Sequence, residues 1–474
     1  MESVNKLNGK AILKWIISIG IALSMYIIPL GELCTISTRH FMASTVLCIL
    51  VLAFELMNEF AIGMLMITLW ILSGIVGPSE AMSGWASTTY ALLVGVFVLA
   101  NTLDRINLLK RIGYSLILKT GGTFSGAMWG LFFACIALSG LTFTVGFALP
   151  LTLAYTLYKA LDLKPTDRES IVIVVTLLVG AVQSKSFLYG PISISMIEMG
   201  VRSVVPEFTL PWYEILFHNF ICIIFCLGFE WVTLKWYKRG AEKNAINVSE
   251  VSNSINTFRE KYNELGKISN TEKKGAAILI FIVIYMLTQP FHKLEMNLAF
   301  MFAVVLAFMP GINIAEHSDI TKVRWGSLML VTAFLSIGTV AAKSGFIQLL
   351  NAYLVPIIQS CGLNGGIVAT VAFGAVANLF LTPAAMCMML SGSVAQFCMD
   401  LGLNMYPYLY AIYLASDLVF LPYEYMPYLL TYAFGMLGFD KMVKVCTIKT
   451  VAFFIFICIV VIPLWNVLGI VGYV

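Results

Sequence analysis

Long apolar runs separated by short polar turns organise this chain. Eleven of them, at 11–31, 39–58, 60–77, 86–103, 170–203, 208–234, 275–289, 296–310, 325–357, 406–438 and 445–472, read as membrane crossings, since a helix rising about 1.5 Å per residue spans a bilayer in about 20 residues. The first run is too long for a signal-peptide core and no small-residue cleavage site follows it, so it is read as an uncleaved helix. Two further apolar stretches, 122–158 and 361–398, balance the topology only if each enters and leaves on one side, as a re-entrant hairpin. The runs at 170–203 and 406–438 are over-long and carry Gly190–Pro191 and Pro422 with Pro427 near their middles. Proline removes a backbone donor and clashes with the preceding turn, so each is expected to be two half-helices joined by unwound chain.

Composition agrees with this pattern. Of 474 residues 60% are hydrophobic and only 11% charged, against about 25% charged in soluble domains. Lys and Arg gather at the N-terminus, 105–119, 160–168, 235–274, 322–324 and 441–449, while Arg39, Arg202 and Lys293 fall in the opposite connections. By the positive-inside rule the N-terminus is cytoplasmic and the C-terminus outside, in the cytoplasmic membrane. The ten cysteines show no CxxC spacing, and the four histidines lie far apart. No metal set, disulfide framework or nucleophile–base pair emerges, so an intramembrane enzyme has no support.

The two halves repeat. "LLVGVF" at 92–97 aligns with "MLVTAF" at 329–334 at an offset of 237, and in each half a turn, a hairpin and an over-long broken segment follow in the same order. One copy starts outside and the other inside, giving inverted-topology repeats, a signature of secondary transporters. The chain therefore divides into N-terminal scaffold helices (1–85), a first repeat core (86–236), a cytoplasmic connector without evident chemistry (237–274), further scaffold helices (275–324) and a second repeat core (325–474). The fold class is an all-α polytopic membrane protein.

The offset also relates charges. Lys185 plus 237 falls two residues from Glu424, and Pro191 and Pro427 differ by 236. A charge near the bilayer centre costs at least roughly 2.5–3.5 kcal/mol on insertion scales. Lys185 is read as a site residue or internal counter-ion, with snorkelling to an interface as the bland alternative. Glu424 is either a cation ligand or proton carrier, or a structural group satisfying backbone N–H freed by the prolines. An ion pair between the two is a third arrangement. Asp417 is read as a buried structural carboxylate or cavity lining. The tyrosines at 423, 425 and 428 are read as interfacial or core packing rather than a ligand cage, with Tyr425 against the break.

At this point the chain resembles the divalent anion:sodium symporter family: "NLLKRI" at 107–112 is similar to its GLxKRI segment, "FALPL" at 147–151 continues the likeness, and Leu421 to Tyr428 keeps the spacing of its LPxxTPPN break. The likeness covers about 86–234 and 325–472. It implies a site formed by the hairpin tips and the two breaks, and a homodimer. Carried over onto this sequence, the site comprises Gly140, Thr142 and Thr144 at the first tip, and Ser184, Lys185, Ser186 and Gly190 at the first break. The second tip is Thr382–Pro383, or Asn378 in the alternative register, and Glu424 with Tyr425 lies at the second break. The Ser-Asn-Thr of the family's tips, which binds sodium and substrate carboxylates, is absent, and Tyr425 replaces a threonine. Lys185 is therefore expected to supply positive charge that sodium supplies elsewhere.

The function expected is secondary active transport of a small anion, a dicarboxylate or inorganic oxyanion, by an elevator-like motion. No cofactor is implied beyond Na+ at the tips or H+ as coupling ion. The partners are the anion and the bilayer, not nucleic acid. Alternatives are a proton-coupled or uncoupled exchanger of another polar solute, a channel, or a non-transporting scaffold.

Overall fold

The computed structural model describes residues 9–473 except 30, 32, 55, 120–122, 143–146, 241–255, 257, 293, 295, 324 and 380. Among them the chain is helical throughout, with no strand, as expected of a polytopic membrane protein. Among the described residues, five helices are long and apolar enough to cross a membrane, or seven if each of two bent pairs is one span, and five apolar helices are shorter.

Helix boundaries repeat at the spacing seen in the sequence. Thr88–Arg105 and Trp325–Ser344 begin 237 residues apart, and so do Arg168–Ala181 and Met405–Ala415. Phe124–Leu141 and Phe346–Asn378 end 237 residues apart. The segment 325–357, expected as one crossing, is instead broken at Gly345, which sits at φ 81°. Its counterpart is Asn107 at φ 63°, where Thr88–Arg105 gives way to Leu108–Leu118 at 65°. Left-handed backbone at a glycine ends a helix, and Lys343 with Ser344 is too brief a polar interruption for hydropathy to mark the break at Gly345. The basic stretch 105–119, expected as loop, is largely this second helix, and Gly362 at φ 67° adds a further kink before 363–378.

The helices expected to pair pack side by side, Phe124–Leu141 with Ala148–Ala160 and 363–378 with Pro383–Leu401, while 143–146 at the first tip lie outside the described residues. Thr123 caps one start by accepting from Gly126 N at 3.1 Å, and Thr382 with Pro383 at the first helical position caps another. Two of the four arms, Phe124–Leu141 and Pro383–Leu401, are long enough to cross a membrane outright, and 363–378 becomes so only with the residues from 360 across the Gly362 kink.

The connector is not inert. Arg111 meets Glu272 at 2.5 Å and donates to the carbonyls of Leu265 and Gly266. This hydrogen bond holds the Glu272 carboxyl below its ordinary range, so the clasp is fully present at neutral pH and weakens as pH falls through that lowered value.

The repeats interlock where Pro191–Arg202 crosses Pro383–Leu401. A Cβ on Gly200 would stand 2.0 Å from Ser391 Oγ and 2.4 Å from the Met388 carbonyl. Small residues allow such backbone approach in membrane bundles. Gly200→Leu is expected to destabilise the protein by at least about 1–3 kcal/mol, the usual cost of overpacking, seen as a lower melting temperature in detergent. An unchanged melting temperature contradicts this packing.

Candidate functional site

Both over-long segments are broken. In the first, Arg168–Ala181 passes through a tight turn at Gln183–Ser186 into irregular chain, and Pro191–Arg202 restarts the helix. Pro191 forces Gly190 out of helical geometry (φ −100°, ψ 84°). In the second, Met405–Ala415 ends before irregular chain at 416–421, a short turn at Pro422–Glu424 follows, and Met426–Ala433 resumes. Unwound backbone away from water must find partners, and here each break finds them largely on other elements. The Tyr413 hydroxyl, from the second segment, is placed to donate to the carbonyls of Lys185 (2.5 Å) and Leu188 (3.1 Å) in the first. Asn378 Nδ2 donates to Ala415 O at 2.8 Å, and Thr450 Oγ1 to Val419 O at 2.7 Å.

A charge cluster joins the two breaks. Lys185 Nζ lies 2.8 Å from Asp417 Oδ1, with both side chains 2% exposed or less. Gln183 Nε2 donates to Asp417 Oδ2 at 3.3 Å. Lys449, on the helix Phe439–Phe456, donates to Gln183 Oε1 at 3.0 Å, Asp417 O at 2.6 Å and Tyr428 OH at 2.6 Å. An ammonium has three donors, so Lys449 is saturated. Among the described residues Asp417 is the one acceptor for Lys185, whose Nζ otherwise lies over the Tyr425 ring at 4.7 Å. The buried Ser184 Oγ beside it and Asn378 Oδ1 on the hairpin lack hydrogen-bond partners. One buried ammonium with spare N–H, a neighbouring hydroxyl and an amide oxygen suit an anion that also carries hydroxyl or protonated oxygens.

The expected site residues fall as follows. Lys185 pairs with Asp417 rather than Glu424. Glu424 instead accepts the backbone N–H of Phe420 at 3.1 Å and Leu421 at 2.7 Å, closing its own break. Gly140 is against the first break, its added Cβ 3.8 Å from the Leu188 side chain. The Thr142 hydroxyl turns back to Leu138 O, and that of Ser186 to Gln183 O. Asn378 ends one arm of the second hairpin and Thr382 begins the other, so both registers flank one turn. Thr144 lies outside the described residues. No group of three His, Cys, Asp or Glu side chains is positioned for a metal among those described.

A citrate transporter family model matches residues 49–415. The chain belongs to the citrate transporter family. No curated protein matches it. This is a family of transporters and not of enzymes, placed in the ion transporter superfamily and related to the divalent anion:sodium symporters. It indicates a secondary transporter of citrate or related small anions. The match takes in Lys185 and Asn378 and stops two residues before Asp417.

Gln183, Tyr413 and Lys449 were not anticipated as site residues of this citrate transporter family member. Lys449 was grouped with the loop cations at 441–449, yet it is 1% exposed. Its signal is periodicity: Met442, Val445, Cys446, Lys449 and Phe453 share one buried face. Asp417→Ala leaves Lys185 buried and unpaired, which typically costs about 3–5 kcal/mol. Lys185→Met with Asp417→Leu is expected to recover most of that loss. Melting curves of Lys185→Met, Asp417→Leu and the double variant measure the coupling, and additive losses contradict a direct pair.

Proposed function

We propose that this citrate transporter family member carries a small carboxylate or oxyanion by alternating access, binding it between the two breaks at Lys185. The single observation that carries this reading is the buried Lys185–Asp417 pair joining the breaks. An incoming anion competes with Asp417 for Lys185, while Gln183 retains the displaced carboxylate and Lys449 holds the backbone beneath it. Ser184 and Asn378 contact the anion's remaining oxygens. Lys185 and Lys449 supply fixed positive charge, so sodium coupling is not required.

The repeats are read as inverted, the hairpins as re-entrant, and hairpins with broken helices as an elevator-like unit moving against scaffold helices. The protein is placed in the cytoplasmic membrane with its N-terminus inside and C-terminus outside, as a homodimer. The bias of basic residues and the family's relation to the divalent anion:sodium symporters support these assignments.

Citrate uptake into proteoliposomes tests the proposal. With an imposed pH gradient or an internal anion load to drive it, and no sodium gradient, concentrative uptake is expected, reduced at least tenfold in Lys185→Ala. Equilibration that never exceeds the outside concentration indicates a channel and refutes it. Strong sodium dependence retained in Lys185→Ala refutes the substitution of lysine for sodium.

A further inference from the structure

Among the described residues, nearly every buried acidic or basic side chain has an ionic or backbone partner. Lys185 has Asp417, Arg111 has Glu272 and Asp319 has Arg105. Lys449 has three acceptors, and Glu424 has two backbone N–H groups. Glu230 is the exception. It lies within Cys222–Gly240 and is fully buried. The Thr176 hydroxyl donates to its Oε1 at 2.8 Å, and its Oε2 has no partner. No Lys, Arg or His nitrogen of the described residues stands within ion-pair distance of it.

Its immediate neighbours among the described residues are uncharged. Arg168–Ala181 presents Thr176, and Phe124–Leu141 presents the Met128 sulfur, 3.8 Å from the same hydroxyl, and the Cys135 thiol. On its own helix Cys226 lies one turn before it and is buried. Facing Phe225, the helix Phe439–Phe456 contributes the Phe453 and Phe456 rings; its Lys449 lies near Cys226, with its three donors committed to Gln183, Asp417 and Tyr428. An ionised carboxylate taken from water without a counter-charge is strongly disfavoured, whereas a neutral acid needs only ordinary hydrogen bonds.

We propose that Glu230 is a proton-binding site, separate from the Lys185–Asp417 cluster and held occupied by the docking of the first broken helix on Cys222–Gly240. The connection to the breaks is mechanical. Thr176 lies on the half-helix that runs directly into Gln183 and Lys185, and Cys222, near the start of Glu230's helix, meets Ser186. Eight residues, about 12 Å of helix, separate Cys222 from Glu230. When the two elements part, Glu230 loses its hydrogen bond and meets water, which accepts the proton and leaves a carboxylate. That parting rests on the alternating-access reading; occupation of the site in the docked arrangement does not.

Infrared spectroscopy of the full-length protein in lipid nanodiscs at neutral pH, without substrate, reads the site. The carbonyl stretch of a protonated carboxyl, shifted in D2O, is expected in the wild type and lost in Glu230→Gln, a neutral variant of the same shape. Thr176→Val, which removes the one hydrogen bond to Glu230, is expected to shift that band without abolishing it. Melting curves verify that both variants are folded. Identical spectra for wild type and Glu230→Gln overturn the proposal, as does a band indifferent to Thr176→Val. Because no anion is transported in this measurement, its failure is distinct from a failure of the anion-transport reading.

Discussion

Charge taken out of water must be neutralised on the spot, and unwound backbone in an apolar interior must find hydrogen bonds. Both constraints meet at Asp417. Its carboxylate balances Lys185 from the first repeat, and its carbonyl is taken by Lys449 from the Phe439–Phe456 helix. Tyr413, four residues before, places its hydroxyl at the open carbonyls of Lys185 and Leu188. Neither broken helix is complete without the other, so the groups that stabilise the breaks are also the groups positioned to meet a ligand there.

The two lysines differ in kind. Lys449 has a full set of acceptors and fixes Gln183, Tyr428 and the second break in place. Lys185 has one carboxylate and an aromatic face, leaving donor capacity in a site whose Ser184 and Asn378 oxygens are also open. A buried salt bridge contributes little net stability compared with apolar packing. Retaining one at the centre of a citrate transporter family member is better explained by an anion that uses the same lysine, as proposed above.

Sequence reasoning located the breaks because proline chemistry is local: Pro191, Pro422 and Pro427 remove donors wherever they stand. It found Lys185 for the same reason, a charge in the middle of an apolar run. It did not find the partner. Asp417 and Lys185 are 232 positions apart, and their pairing depends on how two repeats cross, which hydropathy does not encode. Glu424 attracted attention by lying within two residues of the expected offset, yet its oxygens are met by the backbone of its own turn. Gly345 escaped notice because Lys343 and Ser344 interrupt the apolar run only briefly and a left-handed turn adds no further polar stretch. Lys449 was masked by its neighbours Lys441 and Lys444, although its helical face was already apolar.

The central claim is that Lys185 binds the anion and does more than hold the fold. Calorimetric titration of citrate into purified protein separates these roles when applied to Lys185→Gln combined with Asp417→Asn, a variant that removes both charges and leaves no buried ion unpaired. Citrate binding to the folded double variant at least about tenfold weaker than to the wild type, about 1.4 kcal/mol, is the expected result. Unchanged affinity in a variant that melts like the wild type contradicts the assignment and leaves the pair a structural one.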